Sequence, residues 1–213
     1  MTRCLKYISR KVHENHQQEP DSEADGPWTK LTVWRKSLVF SCNGFTVIDS
    51  TGSLVYRVDN YAGRPEEVTL MDGSGGLSSP CVTARWFILI KQKLRLVDNW
   101  LVYEGEVGDN SSKKPINRVR KRMNILQPYS NVLAHVYCGP SDKKSAYTIE
   151  GSYVHRSCRV LDESKQVVAE IKRKETTDGG VSFGLEVFLL IVRPGFSPSL
   201  SMAIVLILDR MFV

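Results

Sequence analysis

The sequence predicts a mainly β fold in which antiparallel strands form a closed barrel around a central hydrophobic C-terminal α-helix. From Trp28 onward, short runs rich in Val, Ile, Thr, Phe and Tyr are separated by Gly, Asp, Asn and Ser at strand-like intervals. So many strands in one sheet need closure, because open sheet edges invite aggregation. Near the end of the chain, SLSMAIVLIL is instead an almost unbroken apolar run, which predicts a buried helix.

The beginning of the chain differs in composition from the rest. Residues 13–26 contain five acidic side chains and no large apolar one, so they cannot bury enough surface to offset the entropy lost on ordering. We therefore expect residues 1–26 to be a disordered tail. Residues 27–213 are long enough to form one barrel domain with a core of its own.

Two hairpins stand out in the strand region. In residues 44–61, Gly52 can take the positive φ that a tight turn demands. A second hairpin is predicted with Asp98 and Asn99 in its turn. Further strand positions are predicted at 67–71, 94–96, 101–103, 118–125, 131–137, 146–150, 156–161, 167–173 and 188–192.

The predicted helix spans residues 198–212. Ser197 is a suitable N-cap and Pro198 suits the first helical position. The helix would be about 22 Å long, shorter than the ~30 Å hydrocarbon layer of a bilayer, so burial in protein is favoured over burial in lipid. A last strand is the local alternative, since several residues of the run are β-branched. The expected helix core consists of Leu200, Met202, Ile204, Val205, Leu206 and Leu208.

Six basic side chains cluster within SSKKPINRVRKRMN, namely Lys113, Lys114, Arg118, Arg120, Lys121 and Arg122. In a strand, Arg118, Arg120 and Arg122 share one face, which must be the outside of a barrel that a helix fills. At about 1 kcal/mol for each basic residue near an acidic membrane, the six would contribute roughly 6 kcal/mol. We expect this cluster to bind acidic phospholipid headgroups. A merely solvated surface, a nuclear-import signal and a DNA contact are the alternatives.

Other constellations have simpler interpretations. His135 and Cys138 have the same spacing as His155 and Cys158, so the two pairs are candidate ligands for a zinc ion. Residues three apart on a strand point to opposite faces, so ordinary strand positions are favoured.

No serine or cysteine has a local base that would mark it as a nucleophile. The glycines of residues 72–76 lack the helix and the Lys-Ser/Thr of a phosphate loop. We expect no catalytic residue, no metal and no cofactor.

Four segments resemble the LURP-one-related proteins of plants: WLVYEGE at 100–106, GFTVIDSTGSLVYRVDNY at 44–61, VAEIKRKE at 168–175 and the long C-terminal block at 183–212. The resemblance implies the tubby C-terminal-like fold, with about twelve antiparallel strands closed around a hydrophobic helix. It also implies links to plant defence, to phosphoinositide binding by tubby relatives and to phospholipid scramblases. Residues 73–90 depart from the family pattern, since they are longer and more apolar than the usual turn and basic strand.

The leading functional hypothesis is a non-enzymatic, monomeric phospholipid- or phosphoinositide-binding module in plant defence or signalling. A nuclear or membrane-tethered transcription regulator and a scramblase-like lipid-translocating protein are the alternatives, and nucleic acid ranks behind phospholipid as a partner. The five cysteines are odd in number and widely spaced, which favours a reducing compartment. We therefore expect an intracellular protein without a transmembrane span, either cytoplasmic, peripheral to a membrane or nuclear.

Overall fold

A computed structural model of the chain describes residues 26–38, 43–59, 67–73, 87–93, 99–105, 114–122, 131–139, 141–175 and 184–213. Within these residues, twelve β-strands precede one helix. The strands are β1 Thr29–Trp34, β2 Phe45–Ile48, β3 Leu54–Val58, β4 Glu67–Asp72, β5 Phe87–Lys93, β6 Asn99–Gly105, β7 Asn117–Lys121, β8 Val132–Tyr137, β9 Tyr147–Ser152, β10 Ser157–Leu161, β11 Val167–Arg173 and β12 Val187–Val192, and the helix is α1 Pro198–Phe212.

Each strand is hydrogen-bonded to its neighbours in the chain, and every pairing is antiparallel. The first strand also pairs with the last, with Thr29 opposite Val192 and Trp34 opposite Val187. Because β1 pairs with β2 on its other edge, the strand order returns to its start as a closed barrel. The prediction of a mainly β chain with antiparallel strands and a C-terminal helix is confirmed.

The first predicted hairpin is formed by β2 and β3. Gly52 has a φ of +86° in the turn, which a residue with a side chain rarely adopts. The Asp49 carboxylate accepts hydrogen bonds from the Thr51 hydroxyl at 2.7 Å and from the backbone N–H groups of Thr51 and Ser53 at 2.8 and 2.9 Å. These bonds, that of the Thr51 hydroxyl first, hold the pKa of Asp49 below its usual value.

The second predicted hairpin is shifted along the chain. Asn99, expected in the turn, is the first residue of β6 and pairs with Lys93 of β5. The turn prediction relied on the low strand propensity of Asn, which the cross-strand pairing overrides. The other expected turn residue, Asp98, and the predicted strand at 94–96 lie outside the described residues.

Other predictions differ at their edges. The strand predicted at 118–125 begins at Asn117 and ends at Lys121, and residues 123–125 lie outside the described part of the chain. Two further predictions fall largely on residues that are not described: the tail at 1–26, of which only Gly26 is described, and the departure from the family pattern at 73–90. Within residues 73–90, the described residues are Gly73, which follows β4, and residues 87–90, which begin β5.

The C-terminal run is a helix with the predicted bounds, and the alternative of a last strand is wrong. The Ser197 side chain accepts a hydrogen bond from the backbone N–H of Leu200 at 3.2 Å, and Pro198 occupies the first turn, where its missing N–H costs nothing. All residues from Leu200 to Asp209 are buried, so the helix has no exposed face over this stretch. Every one of the six residues named above as the helix core is 9% exposed or less.

The strands cover this helix with every second side chain. In β12, Phe188, Leu190 and Val192 are buried, while the residues between them are partly exposed. In β8 the inward positions are Ala134 and Val136, both inaccessible to solvent. This period-two alternation defines an inner face against α1 and an outer wall that contacts solvent. Burial of each large apolar helix side chain contributes roughly 1.5–3 kcal/mol, so the filled barrel depends on α1.

One end of the helix is anchored by a buried charge. The Asp209 carboxylate is 1% exposed, lies 3.3 Å from Nε of Arg35 and accepts a hydrogen bond from the Tyr153 hydroxyl at 3.1 Å. Arg35 follows β1, and its backbone N–H donates to the carbonyl of Glu186 just before β12. The C-terminal turn of α1 is therefore tied to the barrel end at which β1 finishes and β12 begins.

We predict that Arg35→Met lowers the free energy of unfolding by about 1–3 kcal/mol. The substitution leaves Asp209 buried without its cation, a change that costs about 3–5 kcal/mol in a fully buried pair. The cost is smaller here because the Arg35 side chain is 31% exposed and solvent screens it. Glu186→Gln is the control, since Glu186 is 57% exposed and should cost under about 0.5 kcal/mol. Equal urea midpoints for the two variants would contradict the anchoring role.

Candidate anion-binding site

Strand β7 separates the basic cluster into an inner and an outer face. Asn117 and Val119 point inward and are 7% and 0% exposed. Arg118 and Arg120 occupy the alternate, outward positions, with Arg118 half-buried and Arg120 exposed. Arg122 follows the strand by one residue, and its backbone N–H still donates to the carbonyl of Leu133 in β8. The outer wall at β7 therefore carries successive guanidinium groups.

A shallow cleft of about 230 Å³ opens beside these arginines on β7 and β8. Among the described residues, those that line it are Arg120, Lys121, Arg122, His135 and Tyr137. Three of the five are permanent cations, and none is a carboxylate. The volume is below the roughly 300–1,000 Å³ of sites that enclose a drug-sized ligand. The cleft therefore suits a small anionic group, such as the phosphate of a larger molecule.

The arginines of the wall differ in how firmly they are held. The Arg118 guanidinium donates to the carbonyl of Asp142 at 2.8 Å and lies 4.4 Å from the centre of the Tyr137 ring. These contacts fix Arg118 beside a residue that lines the cleft. Arg120 makes no hydrogen bond or ion pair with another residue in the described ranges, so its donors are available to a ligand.

Lys121 occupies an inward position of β7 and has a structural partner. Its Nζ donates to the carbonyl of Met211 at 3.2 Å and lies 4.9 Å from the centre of the Phe212 ring. A carbonyl in the last turn of a helix has no partner within the helix, and a cation there also favours the helix dipole. Lys121 thus stabilises the end of α1 while it lines the cleft. Of the two remaining predicted residues, Lys114 is exposed before β7, and Lys113 lies outside the described part of the chain.

His135 of β8 lies opposite Arg120 of β7 and contributes to the cleft. Burial lowers the pKa of its imidazole, and the charges of Arg122, Lys165 and Arg120 lower it further. Its Nδ1 atom is shielded from solvent and has no hydrogen-bond partner within the described residues. The cationic field that disfavours a proton on His135 favours an anion in the same place.

Sequence reasoning did not place His135 and Tyr137 in this site. Both residues sit on β8, and their position beside the arginines depends on the register that pairs Arg120 with His135 and Arg118 with Tyr137. The alternation of β8 would have indicated that both side chains point outward, with Ala134 between them and the core. It could not have indicated which strand lies next to them.

The two pairs of His and Cys with matching spacing lie in different surroundings. His155 is exposed in the turn before β10, whereas Cys158 is 2% exposed inside the barrel. Burial raises the pKa of the Cys158 thiol to about 12, so this sulfur is protonated at neutral pH. Cys138 is exposed just after β8. Across the ranges that the structure describes, no group of three or more His, Cys, Asp or Glu could hold a metal ion.

Among the described residues, no helix is both long enough and apolar enough to cross a bilayer.

Comparisons with known proteins give one consistent result. The sequence model of the LURP-one-related family matches residues 29–209. LURP-one-related 17 of Arabidopsis thaliana is 46% identical to this chain over 98% of both proteins. LURP-one-related 8 of the same plant is 47% identical over 85% of this chain and 86% of its own length. LURP-one-related 5 is 38% identical over 90% of this chain and 87% of its own. No solved structure matches the chain significantly.

Proposed function

The chain belongs to the LURP-one-related family, and on this premise we propose that it is a non-enzymatic module that binds acidic phospholipid headgroups at a membrane surface. The observation that carries the proposal is the cleft on β7 and β8, whose described lining residues include three cations and no carboxylate. We further propose that the barrel is of the tubby C-terminal-like type and that headgroup binding serves plant defence or signalling, as the family resemblance implies.

The chemistry of the lining favours phosphate over other anions. Arginine presents planar donors that match two phosphate oxygens at once, and Arg120 has its donors available. Tyr137 offers a hydroxyl group at the edge of the same cleft. Basic residues near an acidic bilayer contribute about 1 kcal/mol each, which suits reversible association. The net charge of +6 adds long-range attraction to the same surface.

The described residues also support a binding role over a catalytic one. The Cys158 sulfur is buried and protonated, and Cys158 is not among the described residues that line the cleft. His135 makes no hydrogen bond with a serine, cysteine or carboxylate within the part of the chain that is described. A nucleophile needs a base within hydrogen-bond reach and a group that orients that base. The cleft thus has the donors for an anion without this arrangement.

The test is a binding series with the full chain and vesicles of defined composition. We expect sedimentation with vesicles that contain phosphatidylserine or a phosphoinositide, and none with pure phosphatidylcholine. Binding should weaken as salt rises from about 50 to 500 mM, since screening shortens the reach of each charge. Duplex DNA as a competitor separates phospholipid from the nuclear alternative. Equal sedimentation with neutral and acidic vesicles, or release by DNA at an equal phosphate concentration, would overturn the proposal.

We predict that binding to acidic vesicles tightens as the pH falls from 7.5 to 5.5. The pKa of His135 lies below its usual value in the free protein, so the imidazole is neutral at pH 7.5. A phosphate beside it stabilises the protonated form, and linkage then requires protonation to strengthen binding. Lower pH has the opposite effect on the free protein, which becomes less stable. Its free energy of unfolding decreases as the pH falls through the unfolded-state pKa of about 6.5, because the unfolded chain takes up a proton at His135 more readily than the folded protein does.

The matched control for this pH dependence is His135→Gln, which keeps a polar side chain and cannot titrate. Its vesicle affinity should vary less with pH than that of the wild type. A variant with the same pH profile as the wild type would show that other groups set the dependence.

A further inference from the structure

The exposed apolar side chains of the barrel are concentrated at one end. Six large apolar residues are exposed among those that the structure describes, and five of them lie where α1 ends. We call these five the apolar rim: Trp34, Leu38, Val154, Leu185 and Val213, which are between 39% and 67% exposed. The sixth, Ile116, precedes β7 and lies at the opposite end.

Chain direction and contacts place the rim residues together. Trp34 is the last residue of β1, Leu185 lies two residues before β12, and Val213 follows the helix. Val154 belongs to the turn between β9 and β10, which is joined to Leu185 because the Arg156 guanidinium donates to the Leu185 carbonyl at 2.9 Å. The apolar rim therefore borders the C-terminal end of α1.

Basic side chains accompany the apolar rim. Nζ of Lys36 lies 5.4 Å from the centre of the Trp34 ring, and Lys172 and Lys174 stand at the end of β11. Carboxylates lie at this end as well, and two of them, Glu186 and Asp59, are within 3.6 Å of a guanidinium. The others described here are Glu67 at the start of β4, Glu175 just after β11 and the buried Asp209.

The opposite end of the barrel also carries charges of both signs. Among the described residues, its lysines are accompanied by the carboxylates Asp49, Asp72, Asp142, Asp162 and Glu163. The two ends therefore differ in apolar exposure, because Ile116 is the one large exposed apolar residue described at this end.

We propose that the barrel docks on an acidic bilayer with this end facing the lipid, so that the apolar rim enters the interfacial layer while the surrounding lysines contact headgroups. The proposal rests on the proposed function, because it takes the acidic bilayer as the partner. Tryptophan is enriched at membrane interfaces, and apolar residues surrounded by cations are typical of proteins that lie on acidic membranes. Exposed apolar residues that cluster, instead of being scattered singly, mark an interaction surface.

The orientation is compatible with headgroup binding in the cleft. Arg122 follows β7 at the same end as the apolar rim. Strand β7 runs toward the C-terminal end of α1, because Lys121, its last residue, contacts the Met211 carbonyl. In the strand order, β7 is separated from β1 by five strands on one side and five on the other. A bilayer across this end can therefore meet the rim on one side and Arg122 on the other.

The test uses the double variant Trp34→Ser/Leu185→Ser of the full chain, with Ile116→Ser as the matched control at the other end. On vesicles that contain phosphatidylserine, the double variant should lose about tenfold in affinity, while the control binds as the wild type does. Thermal melts establish that all three proteins are folded. Brominated lipids supply an independent readout, since they should quench the wild type more than Trp34→Phe.

The outcomes separate the two proposals. If the wild type ignores acidic vesicles, the proposed function fails and the docking orientation fails with it. If the wild type binds acidic vesicles but the double variant binds equally well and Trp34 is not quenched, the orientation is wrong and headgroup binding stands. An equal loss in Ile116→Ser would also overturn the orientation.

Discussion

Leu206→Asp is expected to abolish recovery of folded protein from the soluble fraction. Leu206 lies near the middle of the buried part of α1 and is 0% exposed. The strands cover every side of the helix there, so the new carboxylate could not reach water. Burial of an unpaired charge costs several kcal/mol, and the lost apolar contacts add to that cost. Together these approach the whole stability of a typical domain, about 5–15 kcal/mol.

Two companion variants make this prediction specific. Val213→Asp introduces the same charge one residue beyond the helix, at a side chain that is 67% exposed, and should leave the yield unchanged. Leu206→Ala should fold but lose about 2–5 kcal/mol, measured by urea unfolding. A stable, monomeric Leu206→Asp protein would refute the burial of the helix inside the barrel.

The second large effect concerns the arginines of the outer wall. Replacement of Arg118, Arg120 and Arg122 with Ser should weaken binding to acidic vesicles by up to about a hundredfold, since each basic residue contributes about 1 kcal/mol. The single variant Arg120→Ser is the most specific of the three, because the Arg120 side chain makes no hydrogen bond or ion pair with another described residue. Arg118→Ser should also loosen the segment around Asp142, whose carbonyl accepts its hydrogen bond.

The matched control removes three positive charges elsewhere on the surface, with the exposed residues Lys30, Lys143 and Arg159 replaced by Ser. Both triple variants have the same net charge, so a difference in vesicle sedimentation shows that the location of the positive charges matters. If they bind equally, the attraction is that of the whole protein and the cleft has no part in it. Lys121→Gln should differ from both, with a loss of stability that reflects its contact with the end of α1.

The most local features of the fold could be predicted best. The helix begins at its Ser197 cap and ends at Phe212 as predicted, because the cap, the proline and the apolar run are all signals within the same short segment. The hairpin around Gly52 could be located for the same reason. The turn at Asp98 and Asn99 could not, since the strand partner of Asn99 decides its conformation.

The candidate site could be predicted from the sequence only in part. Alternation indicated correctly that Val119 lies between two outward arginines, but the position of Lys121 depends on a helix end that lies 90 residues further along the chain. Tyr137 and His135 join the site through strand pairing, which single-strand patterns do not encode. Patterns of period two assign a side chain to a face, and only the register assigns it to a site.

The most direct measurement is the pKa of His135, followed by NMR with and without a soluble inositol phosphate as the headgroup. In the free protein, burial and the neighbouring cations hold this pKa below its usual value. A phosphate bound in the cleft would offset Arg120 and Arg122, so the account predicts a saturable rise in the pKa of His135. An unchanged pKa at ligand concentrations that release the protein from acidic vesicles would show that the headgroup binds elsewhere.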